Sequence, residues 1–108
     1  MVAQPKPFPN MKPIHVYPDG HAKNDPEHLS INNKDEALFS TKLSKSDVEV
    51  VFEHGTPFNS ARFVVMAGTE TPSGPLRAGV KPDEQYHYNV RPLKGAVAGT
   101  DPTIIIDQ

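Results

Sequence analysis

The stretch EQYHYNVRPLKGAVAGTDPTIIIDQ, residues 84–108, constrains the fold more than any other part of the chain. Tyr86, Tyr88 and Val90 fall on one side of an extended segment and His87, Asn89 and Arg91 on the other, because successive side chains of a strand point to opposite faces. Such alternation predicts a half-buried strand. A Gly-rich loop follows, and then Ile104, Ile105 and Ile106, a β-branched run that reads as a strand covered on both faces or placed at the centre of a sandwich. The two strands are expected to be core neighbours.

Other segments repeat this theme at strand length. Val48, Val50 and Phe52 alternate with Glu49, Val51 and Glu53, and residues 62–67 (RFVVMA) make a further strand. Ile14, His15, Val16 and Tyr17 form a short strand stopped by the turn residues Pro18-Asp19-Gly20. Leu29 and Ile31 share one side of residues 28–32, Asn32-Asn33-Lys34-Asp35 supplies a turn, and Ala37, Leu38 and Phe39 begin another strand. His54-Gly55-Thr56-Pro57 ends the Val48 strand, and residues 68–82 read as a long loop dense in Gly, Pro, Ser and Thr. The expectation is an all-β, Greek-key β-sandwich of about seven strands and no helix, since strands and turns recur every 8–12 residues or so.

The chain of 108 residues is one domain by length, spanning residues 14–108. Residues 1–13 carry Pro5, Pro7, Pro9 and Pro13, which withhold N–H groups and fix φ, so this segment is expected to be an extended arm. It adds little stability unless Phe8 finds a pocket, and Phe8 also makes it a candidate docking segment for a neighbour or partner.

Charge and composition exclude several roles. The net charge is −2, and Lys42 with Lys45 is the longest basic clustering, so neither nucleic acid nor an anionic surface is an expected partner. No apolar run approaches the ~18 residues of a membrane span, so no membrane insertion is expected. Cysteine is absent, which removes disulfides, thiolate ligands and cysteine nucleophiles together. The start MVAQPKPFPNMKP lacks the apolar core of a secretory signal. The protein is therefore cytoplasmic if Met1 is native, or periplasmic or secreted if a signal was removed ahead of it, and both readings stay open. No Ser occupies a nucleophile-elbow pattern, and the Gly-rich segments 68–74 and 95–99 lead into no helix that would cradle phosphate, so no enzyme activity is expected. The acidic pairs Asp35-Glu36 and Asp83-Glu84 read as solvated loop carboxylates.

With these residues in view, the chain resembles a known family. VEVVFEHGTPFNSARFVV, TETPSGP and YHYNVRPLKGAVAG look like the second half of a cupredoxin. Pro57-Phe58, Ser73-Gly74-Pro75, the Tyr86 to Val90 strand and Asp101-Pro102-Thr103-Ile104-Ile105 are similar to small cupredoxin-like domains of unassigned function, over residues 47–108. The resemblance implies the sandwich and a pole where the family holds copper. The family's Cys position is matched by Val90, its His by Leu93 and its Met by Ala98 or a near neighbour, and its earlier His by about Asn59 or Ser60. None of these side chains is a copper ligand of that kind.

The reading that results is a metal-free, non-enzymatic, cupredoxin-like binding or assembly module with no cofactor, whose partner is a protein or a second copy. Its candidate contact residues are Pro57, Phe58, Asn59, Ser60, Pro72, Ser73, Gly74, Pro92 and Leu93, with the rest of the loop to Ala98, plus Phe8 on the arm. One alternative is copper or zinc binding through several of His15, His21, His28, His54 and His87. His15, His21 and His28 are spaced unlike the tight pairs of structural zinc sites, and His54 and His87 are expected to face solvent. The other alternative is a structural subunit of a homo-oligomer or filament joined through the arm or an exposed edge strand.

Overall fold

The computed structural model describes residues 10–93 and 102–108. Among them the fold is all-β, without a helix, and sandwich-like. Its ten strands are β1 (Asn10–Val16), β2 (Ala22–Lys23), β3 (Glu27–Ser30), β4 (Asp35–Ser40), β5 (Val48–Val51), β6 (Arg62–Val65), β7 (Glu70–Pro72), β8 (Gln85–His87), β9 (Asn89–Pro92) and β10 (Thr103–Asp107). They pair in the orders β2-β1-β4-β7, β3-β10-β8 and β6-β5-β9. Two pairings are parallel, β1 with β4 and β3 with β10, and the rest are antiparallel.

Period-two alternation aims the core. Ile14 and Val16 of β1, Ala37 and Phe39 of β4, Val48 and Val50 of β5, and Ile104 and Ile106 of β10 are fully buried. Phe39, Phe52, Phe58, Phe63 and Tyr88 pack as one aromatic cluster with ring centroids 5.2 to 6.4 Å apart, several of them edge to face.

The expected alternation over residues 84–91 holds: Tyr88 and Val90 are buried, Tyr86 is half-buried and His87 is exposed. The single strand is in fact two. β8 pairs with β10 and β9 with β5, and the chain crosses between them at Tyr88, whose N–H donates to Pro102 O at 3.0 Å. β8 and β10 are neighbours as expected, but Ile105 is half-exposed, so β10 is fully covered on one face only.

Three further differences have physical causes. β1 begins at Asn10, within the segment assigned to the arm, because Asn10 to Pro13 pair in register with Asp35 to Leu38 and the Asn10 amide donates to the Asp35 carboxylate at 2.7 Å. Pro13 is tolerated because its carbonyl turns away from β4 to accept from Asn24 Nδ2 at 2.9 Å, so its nitrogen lies on the side where no ladder bond is required. The long loop contains β7, which pairs with β4 and is tied to β6 by the Thr71 hydroxyl donating to Val64 O at 2.8 Å. Phe58 and Leu76 make an isolated bridge between the loops that carry them.

The molecule therefore has two distinct ends. At one, Thr41, Asp47, Met66, Ala67, Thr69 and Leu93 are hydrogen-bonded together. At the other, Phe52 N–H donates to Ala61 O at 2.7 Å and Arg77 N–H to Pro57 O at 2.8 Å.

Candidate functional site

At the first end the side chains that matter are apolar. Leu43, Met66 and Leu93 are 52%, 48% and 36% exposed. A single exposed leucine is ordinary, but these three are carried on loops that are hydrogen-bonded to one another. Their loops are fixed by polar groups beneath them. Asp47 Oδ1 accepts from Ala67 N–H at 2.7 Å and its backbone carbonyl accepts from Leu93 N–H at 3.3 Å. The Thr41 hydroxyl donates to Met66 O at 2.6 Å, and its carbonyl accepts from Lys45 N–H at 2.7 Å, closing the turn that presents Leu43. Lys45 takes φ 57° to make that turn. Lys42, next to Leu43 in the chain, pairs with Glu70 at 3.4 Å.

The second end holds a groove of 610 Å3 between residues 31–36 and 75–80. Ile31, Leu76 and Val80 line it, half-buried and packed against the core, with Asn10 and Asp35 at its margin. Asp35 is buried and accepts from Asn10 and from Ser30 N–H at 2.7 Å, with the Lys12 ammonium at 3.6 Å. Arg77 also lines the groove: its Nε donates to Thr56 O at 2.7 Å, a terminal nitrogen donates to Tyr86 Oη at 3.0 Å, and the guanidinium lies 5.8 Å over the Tyr86 ring. The Tyr86 hydroxyl in turn donates to Glu84 at 2.8 Å. Burial, and then that bond, push the Tyr86 phenol above its usual range.

The residues expected to share one pole are divided between the two ends. Pro57, Asn59, Ser60, Pro72 and Gly74 belong to the groove end, whereas Pro92 pairs with Val48 and Leu93 sits on Asp47. β5 separates the sets: Val48 meets Pro92 at one end, and Phe52 meets Ala61 at the other. Four steps of ~3.3 Å along an extended chain put Val48 and Phe52 up to about 13 Å apart. Asn59 and Ser60 thus lie beyond the Phe52 end of β5, whereas Leu93 sits at its Val48 end and Val90 pairs with Val50 between them. Val90 is buried beside Val50, and Leu93 is on the surface.

Three of the expected contact residues, Pro57, Phe58 and Ser73, are buried instead. Phe58 is 1% exposed because the aromatic cluster encloses it, and Pro57 is buried beside it. Ser73 is buried because its hydroxyl accepts from Ala37 N–H at 3.0 Å and donates to Gly74 O at 2.9 Å. Gly74 takes φ 78°, a conformation that a side chain at this position would strain. Phe8 and residues 94–98 lie outside the described residues.

The histidines are dispersed. His15 is half-buried, His21 stacks on Tyr17 with ring centroids 4.2 Å apart and pairs with Asp19, and His54 is exposed. His28 Nδ1 lies 3.1 Å from Asp107 Oδ1, and His87 Nδ1 lies 2.9 Å from Thr103 Oγ1. Among the described residues no three His, Cys, Asp or Glu side chains gather into a group that could hold a metal ion.

One charged cluster escapes sequence reasoning. Glu49 is buried on the outer face of β5, accepting from Arg62 Nε and Arg91 Nε at 2.6 Å each. Burial works to raise its pKa, but the hydrogen bonds from Arg91 and Arg62 and their charges outweigh it and hold the carboxyl below its usual range. Glu49 is directly opposite Arg91, so the charge alternation of the two strands was the available signal.

No family model matches the chain, and no curated protein or solved structure matches it either.

Proposed function

We propose that this protein is a non-enzymatic, metal-free, cupredoxin-like binding module that engages a protein partner through the end presenting Leu43, Met66 and Leu93. The observation that carries this reading is the exposure of these three side chains on loops held in place by Asp47 and Thr41. An apolar patch with a charged border is the anatomy of a contact surface, with desolvated anchors inside and solvated groups around them. The absence of cysteine and the apolar Val90 and Leu93 support a scaffold without type 1 copper chemistry. The charge balance favours a protein over a polyanion.

The test is the triple substitution Leu43→Asp, Met66→Asp and Leu93→Asp. Self-association measured by sedimentation, or binding to an identified partner reconstituted from purified components, should fall at least about tenfold while the melting temperature stays within a few degrees. Unchanged association in the triple variant would remove this surface from the reading. The metal-free part has its own check, titration with Cu(II) and Zn(II): no blue absorption is expected, and stoichiometric submicromolar binding abolished by two histidine substitutions would promote a metal protein instead.

A further inference from the structure

At 610 Å3 the groove between residues 31–36 and 75–80 has the size of a small-molecule site, a concave surface that is largely apolar and carries a few polar groups to fix orientation. Its apolar lining is Ile31, Leu76 and Val80, each packed against the core, and Leu76 is bridged to the buried Phe58. Both walls are held by hydrogen bonds. On one, Ile31 N–H donates to Asp107 O at 2.9 Å, Lys34 N–H to Ile31 O at 3.1 Å and Asn33 N–H to Ser30 Oγ at 3.2 Å. On the other, Arg77 N–H donates to Pro57 O at 2.8 Å and Lys81 N–H to Glu84 Oε1 at 2.8 Å. A site already in shape loses little affinity to the ordering of its loops.

The charges of the two walls select the ligand. Arg77 has more N–H donors than its bonds to Thr56 O and Tyr86 Oη engage, and those bonds fix the guanidinium over the Tyr86 ring. Its Nη1 has no hydrogen-bond partner among the described residues and stands beside Gly79, where an added Cβ would lie 3.8 Å from it. Lys34, on the facing wall, is a second cation and forms no ion pair among the described residues. Asp35 is already matched by Lys12, Asn10 and Ser30 N–H, which leaves Glu36 as the anion set against Arg77 and Lys34. A single negative charge suits that balance, whereas Glu36 would oppose a doubly charged phosphate. A guanidinium fork accepts a carboxylate with charge-assisted hydrogen bonds, and the apolar lining asks for a hydrocarbon body behind it.

We infer that the groove binds a small organic monocarboxylate, with its apolar body against Ile31, Leu76 and Val80 and its carboxylate held by Arg77 and Lys34. β4 begins in the groove wall at Asp35 and reaches the opposite end of the sheet at Ser40, so the site is separate from the surface of Leu43, Met66 and Leu93. It stands or falls independently of the proposed partner surface.

The probe is hexanoate, titrated at neutral pH into the full chain carrying labelled methyl groups, with hexanol and hexylammonium as the matched neutral and cationic chains. Saturable shifts in the millimolar range are expected at the methyls of Ile31, Leu76 and Val80, with hexanol and hexylammonium each at least about tenfold weaker. Arg77→Gln should weaken hexanoate binding about tenfold and Lys34→Asn about threefold, asparagine being chosen because it tolerates the φ of 55° at that position. Glu36→Gln should tighten binding by about threefold, since it removes the one opposing charge. Should Arg77→Gln fail to fold, the Lys34 and Glu36 variants carry the test, because neither side chain makes a hydrogen bond among the described residues. Three results would each overturn the inference: no saturable shift at the groove methyls, hexanol binding as tightly as hexanoate, or hexanoate affinity unmoved by both the Lys34 and Glu36 variants.

Discussion

Tyr88 carries the largest side chain among those fully enclosed in the core, and its hydroxyl has no hydrogen-bond partner among the described residues. Burial, with smaller contributions from the Asp25 and Glu27 charges, pushes its phenol far above the usual range. Removing an unsatisfied buried hydroxyl removes a desolvation penalty, so Tyr88→Phe should be neutral or stabilising by up to about 1 kcal/mol in chemical denaturation. Tyr88→Ala should cost about 3–5 kcal/mol, while His87→Ala and Asn89→Ala stay within about 0.5 kcal/mol. A strongly destabilised Tyr88→Phe would mean that the hydroxyl does find a partner. Glu49 gives the pH dependence. Its folded pKa is depressed, so its contribution is present above the ordinary carboxylate value of 4.5 and is lost as pH falls through the lower folded value. Glu49→Gln should therefore melt below the wild type at pH 7, with the gap closing as the pH falls below 4.5. A gap that stayed constant down to pH 3 would show that the carboxylate charge is not what Arg62 and Arg91 require.

Among the elements, β1 is held by a single buried carboxylate as much as by its ladder. Asp35 joins β1 through Asn10 and Lys12, and the end of β3 through Ser30 N–H. Asp35→Ala leaves that buried N–H unpaired and should cost about 2–3 kcal/mol in denaturant melts, with Asn10→Ala costing less than half as much. Equal losses would mean that the Asn10 contact is the whole of the effect. The same elements show what the sequence discloses. Val48, Val50 and Phe52 announce β5, and Tyr88 and Val90 announce β9, because a buried face writes a period of two into the chain. β7 leaves no such mark: Glu70-Thr71-Pro72 is polar and ends in proline, and it is a strand only because β4 has an open edge beside it. Asn10 to Pro13 were concealed by proline, whose missing donor is harmless where its nitrogen faces away from the partner strand. The apolar patch was illegible for a different reason, since Leu43, Met66 and Leu93 come from three loops with no common spacing and only the topology gathers them. Leu93 alone stood among the expected contact residues. Phe58 was misplaced because a Pro-Phe in a turn reads as loop, whereas the aromatic cluster draws it inward.

At the scale of the whole molecule, the two ends differ, one carrying the exposed Leu43, Met66 and Leu93 and the other a groove between residues 31–36 and 75–80. The prediction at this scale is additivity. The triple aspartate variant and Asp35→Ala act at sites with no shared hydrogen-bond partners among the described residues, so their combined effect on stability should equal the two separate effects within about 0.5 kcal/mol. Coupling beyond that would mean that the core transmits strain from one end to the other. The parallel pairing of β3 with β10 adds a consequence in time. Ser30 Oγ donates to Gln108 O across 78 residues of sequence, and Leu29 lies opposite Ile106. None of these contacts forms until the ends of that long loop meet, and closure entropy must be overcome before any bond repays it. Refolding followed by stopped flow should accordingly take milliseconds to seconds, the range of domains ruled by distant pairings. During that interval the edge of β3 waits without its partner, so aggregation should compete with folding most strongly when refolding begins from concentrated denatured chains.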